Sequence, residues 1–225
     1  MSRLFRRREL LIAAIASPAL LASRSVLAQV SGAPVEGSDY LVLANPQPTD
    51  SPGQIEVLDF FWYGCPHCYA FLPDLERWHK RQPSDVAYKH VPVSFDASRD
   101  PHSKIFFALQ ILGRVEDMHT KVFDAYHRQH MRLLDRDEIA DFMAANGIAR
   151  DKWLAAYDSF SVAGAVNRAR MTMQAYMIDG TPTLAVDGRF LTSPTIVRSH
   201  TNAGTLAVTD YLVDRVRVER KRAKK

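Results

Sequence analysis

Phe60-Phe61-Trp62-Tyr63-Gly64-Cys65-Pro66-His67-Cys68-Tyr69 decides the reading of this chain, because in these ten residues a β-rich run reaches a glycine and hands over to a helix. Cys65 and Cys68 are the only cysteines of the protein. A disulfide framework draws on several spread cysteines and a closed zinc site on four ligands, so this pair alone builds neither. Two cysteines separated by two residues can alternate between dithiol and disulfide, one exchanging with a partner and the other resolving the mixed disulfide. The window therefore points to redox exchange.

Upstream of the window, Ile55 to Trp62 reads as a strand that stops at Gly64. Downstream, Leu72, Leu75 and Trp78 share a helix face, which puts Cys65 where a strand feeds a helix N-terminus; Pro73 is expected to bend that helix. Val86 to Phe95 predicts a second strand, with Pro92 marking its end or an edge. From Asp100 to Ile178 the period turns helical. Its stripes are Ile105, Phe106, Leu109 and Leu112, then Met118, Val122, Phe123 and Tyr126, then Ile139, Phe142 and Met143 closed by Asn146-Gly147, then Trp153, Leu154 and Tyr157, and a long helix from Val162 to Met177. These are read as core, with methionine filling gaps. Thr183-Leu184-Ala185-Val186, Asp187-Gly188 and Phe190-Leu191 predict a hairpin, and Leu206 to Val218 a closing helix. Ser31 to Pro52 reads as a leader that docks one edge strand at Tyr40-Leu41-Val42-Leu43. The order is α/β with a helical block between its halves.

Residues 1–28 read as an export signal: Arg3, Arg6, Arg7 and Arg8, then an apolar run from Leu10 to Ala22, then Val26-Leu27-Ala28 before Gln29. The run is too short to span a bilayer. Arg7-Arg8-Glu9-Leu10-Leu11 also fits a loose twin-arginine pattern, which leaves the export route open. Without the signal, the formal charge of +4 disappears, so the basic pI argues for no nucleic-acid partner. Arg215 to Lys225 carries seven basic residues and one acid, and is read as the solvated end of the last helix. The remaining chain is long enough for one well-buried core, and a soluble exported protein meets an oxidising compartment.

With these features in place, the chain resembles the thioredoxin superfamily, and within it the DsbA type that puts disulfides into exported bacterial proteins. The resemblance rests on Phe60 to Tyr69, on Asp59 six residues before Cys65, on Thr181-Pro182 before the hairpin, and on the helical block. It implies a thioredoxin-like fold with an inserted all-helical domain, divided as residues 29–95, a helical insertion at 96–178, and 179–225 with the C-terminal helix. It also implies a periplasmic thiol:disulfide oxidoreductase, monomeric, whose redox group is the Cys65–Cys68 disulfide with no metal or other cofactor. Reduced exported proteins would be its substrates and a quinone-linked DsbB-type membrane oxidase its reoxidant. One position departs: many relatives carry valine where this chain has Thr181, and threonine there is similar to the disulfide isomerases, which leaves substrate preference open.

The chemistry of the residues agrees. A helix N-terminus favours a thiolate, so Cys65 should be acidic; Pro66 suits the first helical turn, and His67 could stabilise the thiolate by charge or hydrogen bond. A stabilised thiolate makes the disulfide oxidising, an effect for which DsbA-type oxidants are themselves a reference case. Cys68 is expected to be the more buried, resolving cysteine. Asp59 sits inside a strand that should be covered on both faces, which predicts a buried carboxyl with a raised pKa that relays a proton to or from Cys68; a structural pair with Lys89 or His90 is the equal alternative. The resemblance places a cis bond at Thr181-Pro182, presenting backbone groups to an extended substrate. Two other readings remain: a metal site joining the cysteines to His67 or to His127 and His130, and an isomerase or reductase of the same superfamily. Only about 30 residues separate the expected cleavage point from the core, so the extra N-terminal domain of a dimeric isomerase is not expected.

Overall fold

A computed structural model describes residues 32–223; the expected export signal lies outside the described residues. The strands are β1 (Leu41–Val42), β2 (Ile55–Phe61), β3 (Val86–Pro92), β4 (Thr183–Val186) and β5 (Phe190–Thr192), forming one sheet in the order β1-β5-β4-β2-β3. β2 and β3 are parallel, and the other pairs are antiparallel. Every residue of β2 is buried, because this β-branched and aromatic run lies inside the sheet with cover on both faces.

The helices are α1 (Pro66–Lys80), α2 (Asp100–Ile111), α3 (Val115–His127), α4 (Arg136–Ala145), α5 (Arg150–Tyr157), α6 (Phe160–Ala175) and α7 (Asn202–Ala223). Five of them, α2 to α6, lie between β3 and β4, as the change of period predicts. Alternation along β2 divides the core. Ile55 and Val57 pack with Phe71, Leu75 and Trp78 of α1 and with Leu212 and Val216 of α7. Leu58 and Phe60 face the other way, against Leu43, Tyr176 and Ile178. Phe61 joins a third cluster with Cys68 and Leu72 of α1 and Phe106, Met118, Val122 and Phe123 of the helical block. The insertion is thus built onto the redox end of β2 and α1. Met118 and Met143 fill that core, whereas Met171 and Met177 are exposed.

Pro73 lies inside α1, which continues to Lys80. One local expectation changes in part. Lys221 and Arg222 are exposed as expected, but the start of the basic run is a latch: Arg217 binds Asp85 at 2.6 and 3.0 Å, Arg220 binds Asp187 at 2.6 Å, and Arg215 reaches the Tyr40 hydroxyl at 3.0 Å. These arginines bridge α7 to the turn before β3, to the β4–β5 turn and to the leader, so part of a charge run that reads as solvated is spent on tertiary contacts. Exposed pairs of this kind contribute little individually, and the network gains by joining three segments distant in sequence.

The β4–β5 turn shows how tightly the leader is docked. Asp187 and Gly188 both have positive φ, 55° and 66°, as a two-residue hairpin turn requires. A Cβ on Gly188 would lie 2.0 Å from the Gln47 carbonyl oxygen, where Gln47 N–H donates to the Gly188 carbonyl at 2.8 Å. Gly188→Ala combines left-handed strain, about 1–2 kcal/mol, with a backbone clash. We expect it to destabilise the fold by about 2 kcal/mol or more in denaturant titration, leaving the thiol chemistry intact in the folded fraction.

Candidate active site

Cys65 is the N-cap of α1, with extended backbone angles (φ −85°, ψ 116°), and its sulfur accepts the Cys68 N–H at 3.3 Å. A sulfur therefore fills the position where Ser, Asp or Thr oxygens usually satisfy a free helix amide. Pro66 occupies the first helical position, where a missing N–H costs nothing. Gly64 must lack a side chain, because a Cβ there would fall 2.3 Å from the Trp62 indole. The Arg99 guanidinium lies over that indole, 4.5 Å from the ring centre.

The Cys65 thiol donates to the Thr181 carbonyl at 3.3 Å. Its pKa is lowered to about 5: the Cys68 thiol lowers it most, the Thr181 side chain and the Cys68 and His67 backbone amides add to this, and burial opposes them. Cys68 goes the other way. Burial and the neighbouring Cys65 push its thiol far up, so the pair holds one acidic sulfur and one that stays protonated. Both cysteines are free thiols in this structure.

His67 contributes to Cys65 through its backbone N–H, and its imidazole is exposed. The side chain lines a groove of about 510 Å³ that also includes Met177, Thr181, Pro182, Leu191 and Ile196. The Thr181–Pro182 bond is cis. The resemblance therefore located a feature that the residues alone would have put in trans, and the structure brings Thr181 to the sulfur from 116 residues away.

Asp59 is 2% exposed. Parallel register sets it opposite His90 on β3, and its Oδ2 is 3.0 Å from His90 Nδ1 and accepts the Tyr88 hydroxyl at 3.0 Å. Lys89 points to the other face and pairs with Glu56 at 2.7 Å. Of the two structural partners considered for Asp59, His90 is the one present. Its second oxygen, Oδ1, has no hydrogen-bond partner, and Asp59 lines a narrow internal space together with Cys68.

Sequence reasoning missed two groups. His127 donates from Nε2 to the Tyr63 carbonyl at 2.8 Å and stacks on Tyr69, with ring centres 4.7 Å apart. It thus sits directly behind the cysteine motif, where a surface histidine was the simpler reading. His130 lies beyond the end of α3, and among the described residues no group of three or more His, Cys, Asp or Glu is placed to hold a metal. His119 is also buried, hydrogen-bonded to the Tyr63 hydroxyl at 2.9 Å. Its position beside Met118 and Val122, within the apolar stripe of α3, was the only signal.

An acidic helix-capping thiol paired with a buried one, facing a cis-proline loop on a five-stranded sheet, defines a thioredoxin-fold dithiol:disulfide oxidoreductase. A family model described as the DSBA-like thioredoxin domain matches residues 56–201, and the chain belongs to that family. It is 44% identical over 194 residues to the thiol:disulfide interchange protein DsbA of Burkholderia cepacia, covering 84% of this chain and 90% of that one. The crystal structure of Pseudomonas aeruginosa DsbA superposes with a TM-score of 0.79 at 37% identity, covering 85% of this chain and 97% of that one. DsbA from Xylella fastidiosa superposes at 0.77 with 34% identity, covering 83% and 100%. The inserted helical domain is shared with these structures, and the protein is a disulfide oxidoreductase acting as a dithiol oxidant.

Two outcomes follow from the opposed thiols. Iodoacetamide should modify Cys65 alone, with a rate that titrates near pH 5; equal labelling of Cys68 at that pH would reverse the roles. The depressed Cys65 pKa should also stabilise the reduced fold. Because the folded value lies below the unfolded one, near 9, the contribution is full above the unfolded pKa and vanishes as pH falls through about 5. The reduced protein should therefore melt above the oxidised one at neutral pH, and the gap should narrow on acidification.

Proposed function

We propose that Cys65 is the sulfur through which this protein donates its disulfide, that Cys68 resolves the mixed disulfide, and that reduced exported proteins are the substrates, in the periplasm. The observation that carries this reading is the opposed acidity of the two thiols, because a Cys65 thiolate held near pKa 5 stabilises the reduced protein, which makes the Cys65–Cys68 disulfide oxidising and Cys65 a good leaving group from the mixed disulfide. A quinone-linked membrane oxidase of the DsbB type would supply that oxidant. Residues 29–95 and 179–225 form the thioredoxin-like part and 96–178 the insertion.

In donation, a substrate thiolate attacks the Cys65 sulfur, the Cys65–Cys68 bond breaks, and Cys68 leaves with the electron pair. A second substrate thiolate then attacks the substrate sulfur of the mixed disulfide and releases Cys65 as a stable thiolate. The extended substrate segment lies in the groove beside Thr181 and Pro182, where backbone carbonyls and amides meet it and His67, Met177 and Leu191 contact its side chains. Asp59 serves both alternatives considered for it. Oδ2 is held by His90 and Tyr88, while Oδ1 faces the space shared with Cys68 and exchanges the proton that the resolving sulfur gains or loses. His90 and Tyr88 also line an open groove of about 700 Å³ on the β3 edge, a route for that proton to solvent.

The test is a Cys68→Ala variant incubated with exported proteins in reduced form: stable mixed disulfides on Cys65 are expected, and their absence would remove Cys65 from the role. For the poise, Thr181→Val should raise the Cys65 pKa, since the threonine side chain is one of the groups lowering it. His67→Leu should raise it too, but leave it well below an ordinary thiol, because the backbone amide remains. As 30 mV corresponds to about 1.4 kcal/mol for a two-electron couple, either change is readable in equilibrium with glutathione. An unchanged potential in His67→Leu would confine that imidazole to the substrate groove.

A further inference from the structure

The space beside Cys68 is lined by Asp59, His119, Phe61, Phe123 and Pro182 among others, and it is too tight to admit a water molecule. Two of its walls carry buried polar atoms without a partner, Asp59 Oδ1 and His119 Nε2. A buried polar group left unpaired, with no water to rescue it, is costly enough to need a reason. Cys68 is the third polar side chain lining the same space.

The tautomer of His119 follows from its surroundings. The Tyr63 hydroxyl is 1% exposed at the residue level, and its hydrogen-bond partner is His119 Nδ1 at 2.9 Å. A buried hydroxyl must place its proton on an acceptor, so Nδ1 is unprotonated; the ring stays neutral because burial holds its pKa well below the ordinary value. The one ring proton is therefore assigned to Nε2, from the network and not from an observed hydrogen. The rest of the ring is enclosed by Phe61, Phe106, Phe123 and His90, with centre distances of 4.9, 6.0, 5.2 and 4.5 Å. Nε2–H is then a donor, Asp59 Oδ1 an acceptor, and Cys68 needs one of each.

We infer that His119 is a positioning residue for the resolving sulfur: oriented by Tyr63, its Nε2–H donates to Cys68 Sγ as that sulfur becomes a thiolate, while Asp59 Oδ1 exchanges the proton. The inference rests on the Asp59 reading above and adds a partner to it. In reoxidation by a disulfide such as oxidised glutathione, the Cys65 thiolate attacks one glutathione sulfur and releases the other as thiolate. Cys68 passes its proton to Asp59, its thiolate attacks Cys65 Sγ, and the second glutathione leaves as thiolate and is protonated by solvent. In this direction the Cys68 thiolate exists only between those last events. A donor waiting in a dry site stabilises that charge without reorganising, and costs little while the sulfur is a thiol.

The experiment follows acid-quenched mixtures of the reduced protein and oxidised glutathione by mass spectrometry, counting the glutathionylated intermediate. The native protein should pass through it with little accumulation. His119→Met, apolar and of similar reach, should slow its resolution about tenfold or more, the scale of one lost hydrogen bond to a charged group. His119→Gln places an amide N–H near the Nε2 position and should restore resolution to within about threefold. His119→Asn reaches only the Nδ1 position and should behave like Met. Cys65 alkylation should be the same in all three, which separates this role from general disorder of the site. Native resolution in His119→Met, or a Gln variant as slow as Asn, overturns the proposal; should Met fail to fold, Gln against Asn decides it. Asp59→Asn, run in parallel, tests the reading beneath: normal resolution there with slow His119→Met removes the proton relay but keeps the donor, whereas slow Asp59→Asn with normal His119→Met keeps the relay alone.

Discussion

Cys65 Sγ caps helix α1, and the rest of the site is arranged around that one hydrogen bond from the Cys68 amide. An ordinary cap oxygen is neutral or permanently charged; a sulfur cap gains its charge only when the disulfide opens. The helix N-terminus therefore interacts most strongly with the reduced form, and the scaffold that fixes α1 becomes part of the redox chemistry. That scaffold is substantial. Phe71, Leu75 and Trp78 anchor α1 beneath the sheet with α7, and Leu72 and Cys68 anchor it to the helical insertion. Trp78 adds a hydrogen bond from its indole to Asp210 of α7 at 2.6 Å.

The central strand β2 carries two buried acids, and the difference between them separates structure from chemistry. Glu56 is held through one oxygen: Oε2 receives the Ser51 hydroxyl at 2.8 Å, the Asp50 amide at 3.1 Å and Lys89 at 2.7 Å. It ties the leader and β3 to the sheet, and it lines the open groove on the β3 edge, away from the cysteines. Asp59, three residues on and on the opposite face, is satisfied at one oxygen and open at the other, toward the space it shares with Cys68. A group retained half-paired in a dry interior is poorly explained by stability, which would favour closing the network or removing it.

Much of this was legible in the chain because it depends on local pattern. The strand–glycine–helix junction, the acidic residue turned against its apolar neighbours on β2, and the Asp187-Gly188 hairpin are all encoded within a few residues of one another. What was not legible depends on register or tertiary approach. The choice between Lys89 and His90 is made by the parallel pairing of Asp59 with His90, which no single strand reveals. The C-terminal arginines read as solvent-facing because their acids, Asp85 and Asp187, lie far off in sequence. His119 and His127 are spaced eight residues apart on α3, a spacing that suits one helix face, yet whether that face meets solvent or the redox motif is settled only when the insertion packs on β2 and α1.

That packing gives the insertion a chemical reason to exist beside a mechanical one. The thioredoxin-like part supplies the front of the site, with Thr181 and the helix amides that lower the Cys65 pKa. The insertion supplies the back: Phe106, Phe123 and His119 close over Phe61 and Tyr63, and His127 holds the Tyr63 carbonyl. Drying the back raises the Cys68 thiol while the front lowers Cys65, and the separation between the two is what makes the pair directional. Without the insertion, the rear of Cys68 would face water and its thiol would fall toward the ordinary value. The cap on α1 makes Cys65 a good leaving group, and the helices behind it keep Cys68 from becoming an equally good one.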